Sequence, residues 1–416
     1  TRLLMTYDIT PPAVLRQSIT LPASKSISNR ALIIHALSRG DILPENLSDC
    51  DDTNVMISAL RDMPYEIDIK AAGTAMRFMT AYLSVTPGEH LLTGTERMKL
   101  RPIENLVNAL RSLGADIEYL GETGFPPLKI KGRPLKGGMI NIPGNVSSQY
   151  ISALLMIAPV MKQGLTLKLG GDILSRPYID LTLAMMNDYG AGAEWVDVDT
   201  VHVKPNGYTS RPYYIENDWT AASYWYEMMA LTADDDAEIR LAGLMDVSSQ
   251  GDTIVKYIFS LLGVKTLFEI KNKRVPCTVT LRRSGLHLPR LDFDFSNSPD
   301  LAQTVVCACC GMGIEFDFTG LSTLKIKETD RIEAMKTELR KLGFVVYSKN
   351  DNELIWDGER CEPTFEPIDT YEDHRMAMAF APLALKINGI KINNPEVVSK
   401  SYPRFWEHLK LCGYSL

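Results

Sequence analysis

The sequence predicts a mixed α/β fold (α/β with α+β character), built of about six repeated units gathered into two lobes of three. Three observations predict it. An amphipathic helix that stops at a glycine and runs into an alternating strand recurs as LVNALRSLGADIEYL, LTLAMMNDYGAGAEWVDV, IVKYIFSLLGVKTLFEI and MKTELRKLGFVVYSK. The stopping glycines are Gly114, Gly190, Gly263, Gly343 and, after FWEHLKLCGYSL, Gly413; they stand 76, 73, 80 and 70 residues apart, a unit of about 75 residues. Each unit also holds a second, more apolar helix, such as SSQYISALLMIAP or TAASYWYEMMAL, and short strands flanking a turn, as in LGADIEYLGETGFPPLKIKG.

One unit is short. In MISALRDMPYEIDI the breaker is Pro64, only 50 residues before Gly114, and the strand YEIDIK runs straight into AAGTAMRF. A hairpin is therefore expected to be trimmed near residues 63–70. The polar run at Ile215–Trp219, between strand-like and helix-like segments, is the expected lobe junction.

The length of 416 residues supports two or three domains at about 150 residues each. A net charge of −7 gives no general field for nucleic acid or anionic lipid, so a phosphorylated ligand must be held by a local cluster of cations. The seven cysteines, an odd count, suggest reduced thiols in a cytoplasmic protein, with no disulfide framework and no metal site. The longest apolar stretch, Tyr150 to Met161, is well short of the ~20 residues that span a bilayer. The opening TRLLMTYDITPP lacks the pattern of a secretion signal.

Cations and hydroxyls collect at expected helix starts. LPASKSISNRALIIHALS reads as a strand end followed by a helix from about Asn29, capped by Ser26 or Ser28. Ser24, Lys25 and Ser26 then lie at the helix mouth, where free amides and the dipole favour an anion, with Arg30 one turn further on. The GxxxxGK spacing of a phosphate-binding loop is absent. Gly73 and Thr74 open a helix with Arg77 one turn in; Arg97, Lys99 and Arg101 precede Pro102; Ser147, Ser148 and Gln149 follow a Pro-Gly turn. In the second half, Lys327 and Glu328 project ahead of a helix expected near Thr329, with Arg331 in its first turn, where it opposes the dipole unless an anion sits alongside. Arg375, beside Asp373 and His374, fronts an apolar helix, as does Asp300 after Pro299, and Lys400 precedes another helix. Asp300 suits either a favourable N-terminal charge or a general base. Eight such starts, if convergent, make an anion-binding cleft.

In order along the chain, the segments SKSISNR, GTAMR, RMKLRP, GNVSSQY, SRPYIDLTL, PDLAQT, KETDR, DHRMAM and SKSYPRF resemble the 5-enolpyruvylshikimate-3-phosphate synthase family, from Ser24 to Phe405. The resemblance implies an inverse α/β barrel of the enolpyruvyl transferase type, with two lobes of three βαβαββ units that are joined by two chain crossings and close on the substrates. One lobe would be residues 21–216 and the other residues 1–20 with 217–416. The implied reaction moves the enolpyruvyl group of phosphoenolpyruvate to the 5-hydroxyl of shikimate 3-phosphate through a tetrahedral intermediate, in a monomeric enzyme with no metal or cofactor. The resemblance assigns shikimate 3-phosphate to Lys25, Ser26, Arg30, Ser147, Ser148, Gln149, Ser175, Tyr178, Asp300, Thr323 and Lys327. It assigns phosphoenolpyruvate to Lys25, Gly73, Arg101, Gln149, Arg331, Arg375 and Lys400. Asp300 would accept the hydroxyl proton, Glu328 would exchange a proton with the methylene carbon, and Lys327 and Lys25 would complete the catalytic set.

Three departures from the family pattern stand out: Ala71 where an Asn is usual, the trimmed residues 63–70, and Thr323 in place of an Asn. A UDP-N-acetylglucosamine enolpyruvyl transferase fits less well, because it normally carries a loop Cys and a Lys-Asn start motif, and Leu91 to Arg101 contains no Cys. A non-catalytic binder of phosphorylated metabolites would have little need of Asp300, Lys327 and Glu328 together.

Overall fold

The computed structural model describes residues 4–416; residues 1–3 of the expected N-terminal segment lie outside the described residues. The chain divides into two compact units, one of Thr1–Pro22 with Glu216–Leu416 and the other of Ala23–Ile215. Strands β1 (Thr6–Asp8) and β2 (Arg16–Thr20) belong to the first. The second begins with α1 (Lys25–Ser38), α2 (Asp51–Asp62), β3 (Glu66–Asp68), α3 (Gly73–Val85), β4 (Gly88–Thr93), α4 (Glu104–Ser112), β5 (Asp116–Tyr119) and β6 (Leu128–Gly132). It continues with β7 (Gly138–Pro143), α5 (Ser148–Ile157), β8 (Leu165–Gly170), α6 (Arg176–Asp188), β9 (Ala193–Asp197) and β10 (Thr200–Val203). The chain returns to the first unit as α7 (Trp219–Leu231), β11 (Glu238–Leu244), α8 (Val255–Ser260), β12 (Val264–Phe268) and β13 (Cys277–Arg283). Then come β14 (Arg290–Asp294), α9 (Ala302–Met312), β15 (Glu315–Thr319), α10 (Arg331–Lys341), β16 (Tyr347–Lys349), β17 (Glu353–Trp356), α11 (His374–Phe380), β18 (Lys391–Asn393) and α12 (Phe405–Leu411).

Four four-stranded sheets share one topology: β3-β4-β6-β5 and β7-β8-β10-β9 in the second unit, β2-β11-β13-β12 and β14-β15-β17-β16 in the first. In each, the first two strands are parallel and the rest antiparallel. Parallel neighbours require a crossover and antiparallel ones a hairpin, which gives the order βαβαββ. Between β2 and β11 the crossover holds the whole second unit as well as α7. Two reduced repeats complete the set. The chain ends supply one, through the β1–β18 pair and the bridges Ile368–Ile392 and Thr10–Ser415. The Glu45–Tyr214 bridge with α1 and α2 supplies the other. There α2 stops at Met63, in a left-handed conformation, and β3 follows with no intervening hairpin, which is the shortening expected near residues 63–70.

The first helix of each repeat is buried nearly all round and the second is amphipathic. Every residue of α5 from Tyr150 to Ile157 is buried, whereas α4 buries only Leu106, Val107 and Leu110. Likewise α9 is buried from Ala302 to Cys310, so its three cysteines act as small core residues, and burial pushes their thiols up. The glycines read as helix stops take positive φ, 103° at Gly114 and 92° at Gly343, a turn that any Cβ would disfavour. Each unit has its own core.

Helix α7 contains one anomaly. Glu227 is fully buried, and neither carboxylate oxygen has a hydrogen-bond partner. Burial pushes its pKa well above the ordinary 4.5, so the folded chain holds it as a neutral acid. Its folded pKa exceeds its unfolded one, so stability is full below about pH 4.5 and declines as pH rises, by up to about 1.4 kcal/mol per pH unit, until the folded pKa is passed. Glu227→Met should therefore raise the melting temperature, and by more at pH 8 than at pH 5 in scanning calorimetry. Equal gains at both would mean that Glu227 is ionised in the folded chain.

Candidate active site

In the second unit, helix α1 starts at Lys25, four residues earlier than the sequence suggests. Ser24, not Ser26 or Ser28, is the cap: its Oγ accepts the Ile27 amide at 3.2 Å. Lys25 and Ser26 thus occupy the first turn. Ser28 is buried, and its Oγ accepts the Ser48 amide at 3.0 Å, which fixes the segment leading to α2. In the first turn of α2, Asp52 meets the Lys25 ammonium at 3.1 Å, with both side chains largely buried.

Arg30 turns inward. Its guanidinium donates to Thr182 Oγ1 at 2.7 Å, Ser152 Oγ at 3.1 Å and the Ser26 carbonyl at 3.0 Å, and it lies against the rings of Phe78 and Tyr178. Burial lowers its pKa to about 10, still charged at neutral pH. It thereby ties α1 to α5 and α6. Helix α6 opens at Ser175, held at φ 53°, and Tyr178 follows in the first turn. Ser147 caps α5 by accepting the Gln149 amide at 3.2 Å, and the Gln149 amide side chain donates to Thr74 Oγ1 on α3 at 2.9 Å.

Gly73 begins α3, with Ala72 as N-cap and no side-chain cap hydrogen bond. A Cβ on Gly73 would lie 2.5 Å from Arg101 Nη1 and 2.7 Å from Nη2, so only glycine allows the guanidinium to rest over this helix mouth. Arg77 braces the same corner by donating to the carbonyls of Gly73 and Pro102, both at 3.2 Å. Arg101 ends a 3-10 turn, Met98–Leu100, rather than opening a helix; α4 starts at Glu104.

In the first unit the expected residues meet on one buried guanidinium. Arg331 opens α10, with Asp330 as its cap rather than a start near Thr329. It donates to Asp373 at 2.8 and 3.2 Å, to Asp300 Oδ1 at 3.1 Å and to Glu328 Oε2 at 2.7 Å. Three carboxylates explain how a cation is tolerated at the positive end of a helix. Around them stand Lys327, 4.0 Å from Asp300 Oδ1, Arg375, 3.6 Å from Asp300 Oδ2, and Lys400, 3.7 Å from Glu328 Oε1. Asp300 lies in the 3-10 turn Pro299–Leu301 that leads into α9. Asp373 caps α11 by accepting the Arg375 amide at 3.0 Å, and Arg375 also donates to the Tyr224 hydroxyl at 3.0 Å. The Thr323 hydroxyl is buried with no hydrogen-bond partner, four residues before Lys327.

These contacts set the protonation states. Burial works against ionising Asp300, yet Arg375, Lys327 and Arg331 win and hold its carboxyl well below the usual range. Asp252 goes the other way: burial and the Asp300 charge push it up to about 7, although Thr220 donates to it. Burial, ahead of the Arg375 contact that opposes it, pushes Tyr224 up to about 12.

Asp52, Tyr224 and Asp252 carry no sequence signal that separates them from ordinary cap and core residues. Asp373 stands inside the DHR motif, but its role as the acceptor for Arg331 emerges only from the fold.

A family model described as EPSP synthase (3-phosphoshikimate 1-carboxyvinyltransferase) matches residues 9–68 and 62–409. The chain is 56% identical over 413 residues to the 3-phosphoshikimate 1-carboxyvinyltransferase of Bacteroides fragilis, covering 99% of each. It is 37% identical over 428 residues to that of Aliivibrio fischeri, covering 96% of this chain and 97% of the relative. In fold it is similar to the solved EPSP synthase of Acinetobacter baumannii, with a TM-score of 0.76 at 21% identity over 99% of this chain and 100% of that one. With the repeat topology and the order of motifs already described, these matches establish that the chain belongs to the EPSP synthase (3-phosphoshikimate 1-carboxyvinyltransferase) family.

Proposed function

We propose that this chain transfers the enolpyruvyl group of phosphoenolpyruvate to the 5-hydroxyl of shikimate 3-phosphate and releases phosphate. The observation that carries the reading is the convergence of Asp300, Lys327, Glu328, Arg375 and Lys400 around one buried Arg331, because addition and elimination need a base, a carbon acid–base and cations for a leaving phosphate in one place.

In this reading the shikimate 3-phosphate anions lie against Lys25, Ser26, Ser147, Ser148, Gln149, Ser175 and Tyr178, with the buried Thr323 hydroxyl a further partner. Arg30 contributes by fixing Ser26 and Tyr178, which it contacts directly. Phosphoenolpyruvate takes Gly73, Arg101, Gln149, Arg331, Arg375, Lys400 and Lys25. Asp300 accepts the proton of the attacking hydroxyl as its oxygen bonds to the central carbon of the enol, while Glu328 delivers a proton to the methylene carbon. Elimination reverses the carbon step: Glu328 removes a methyl proton, the double bond re-forms and the carbon–oxygen bond to phosphate breaks. Lys327, Arg375 and Lys400 offset the charge gathering on the departing phosphate. The seven free cysteines suit a cytoplasmic setting, and nothing in the proposed chemistry calls for a second copy of the chain.

The direct test is phosphate release from phosphoenolpyruvate with and without shikimate 3-phosphate. Release should require both, and Asp300→Ala should lower turnover by about 10²–10⁴-fold, the usual weight of general acid–base catalysis. Binding of both ligands without release would leave a non-catalytic binder.

The depressed pKa of Asp300 makes it a weak base in the unliganded chain. Phosphate and carboxylate groups settling on Lys327, Arg375 and Arg331 neutralise the cations that hold it down, so substrate binding should restore its basicity. In a titration followed by carboxyl carbon NMR, with Asp300→Asn identifying the signal, Asp300 should titrate at higher pH when shikimate 3-phosphate and inorganic phosphate are bound. An unchanged or lower value would contradict this coupling.

A further inference from the structure

The segment that delivers the chain into α11 holds two successive residues in the left-handed region, Tyr371 at φ 55° and Glu372 at φ 57°. Neither is a glycine or an asparagine, and such a conformation persists only where the surroundings over-determine it. Helix α10 supplies the constraint. Glu338 is fully buried and accepts the Asp369 amide on one oxygen and the Tyr371 hydroxyl on the other, the latter at 3.0 Å. Lys341 closes the arrangement by donating to Glu338 at 2.7 Å, to the Pro367 carbonyl at 3.0 Å and to Asp369 at 3.3 Å. Seven residues before Glu338, and so on the same face of the helix, Arg331 holds Asp373 through two hydrogen bonds. One helix thus grips the strained turn at both ends. Asp373 then accepts the Arg375 amide and starts α11.

We propose that Glu338 is a positioning residue for the enolpyruvyl-transfer site. Its hold on Asp369 and Tyr371 keeps the turn in its left-handed form, and that turn fixes where α11 begins and hence where the Arg375 guanidinium stands against Asp300 and Tyr224. A glutamate on an outer amphipathic helix would ordinarily serve a surface ion pair. This one faces inward, and two of its three acceptor contacts go to the turn. The inference rests on the reading above that Arg375 binds phosphoenolpyruvate.

The test compares Glu338→Ala, Glu338→Gln, Tyr371→Phe and Arg375→Ala by steady-state kinetics, with the dissociation constant of shikimate 3-phosphate measured in parallel by calorimetry. Glu338→Ala should raise the KM for phosphoenolpyruvate by about tenfold or more and leave shikimate 3-phosphate binding within twofold. Glu338→Gln, which keeps an acceptor for the turn, should recover most of the loss, and Tyr371→Phe should raise the same KM about threefold. An unchanged phosphoenolpyruvate KM in Glu338→Ala, or a loss shared equally by both ligands, would overturn the proposal. If Glu338→Ala does not fold, the partly exposed Tyr371→Phe decides the matter: a selective rise supports the proposal and no rise refutes it. Arg375→Ala separates the two levels. If it leaves the phosphoenolpyruvate KM unchanged, the reading of Arg375 itself fails; if it raises that KM while the Glu338 and Tyr371 variants do not, only the positioning role falls.

Discussion

Everything in the first unit's candidate site depends on one buried guanidinium. Arg331 is almost without solvent exposure, and its planar fork meets three carboxylates from three separate stretches of chain: Asp300 before α9, Glu328 before α10 and Asp373 before α11. A carboxylate as buried as Asp373 is stable only when paired, and breaking such a pair costs on the order of 3–5 kcal/mol because a charge is then left uncompensated. The same contact that settles this electrostatic problem brings a candidate base and a candidate carbon acid–base to a common point. Lysine could not replace the fork, since a single ammonium cannot span the three acceptors.

The fold makes this convergence possible by repetition. Each repeat places a buried helix after its first strand, and candidate site residues sit at the starts of those helices or in the turns just before them: Lys25, Gly73 and Ser147 in one unit, Asp300 and Asp373 in the other. The outer helices do a second job. α2 brings Asp52 to Lys25 and α10 brings Arg331 to its carboxylates, so the amphipathic layer supplies counter-charges to groups presented by the inner one. Around Arg331 four cations, Arg331, Lys327, Arg375 and Lys400, meet the three carboxylates of Asp300, Glu328 and Asp373, a balance that suits an anionic ligand.

Much of this was legible in the sequence, because it is local. The glycine stops mark the ends of outer helices, unbroken apolar runs such as that of α9 mark inner helices, and the short spacing to Pro64 marks the missing hairpin. Helix starts were less legible. Ser24, Ser26 and Ser28 are equally good caps on paper, and only backbone geometry selects Ser24, which moves Lys25 into the first turn. The counter-charge of Lys25 was not legible: Asp52 reads as an ordinary acidic residue at a helix start, and nothing local distinguishes it from Asp51 beside it. Arg30 lies within the recognised motif, but its inward turn is set by Thr182 and Ser152, more than a hundred residues away.

The most direct test of the account is a single-turnover measurement on Arg331→Lys, which keeps the charge and removes the fork. The account predicts a folded protein that binds shikimate 3-phosphate as tightly as before, since the contacts proposed for that substrate fall mainly on residues of the other unit, but releases phosphate at least about a hundredfold more slowly, as expected when a preorganised bidentate contact is lost. A variant that released phosphate at the original rate would contradict it, because Asp300, Glu328 and Asp373 would then need no common partner.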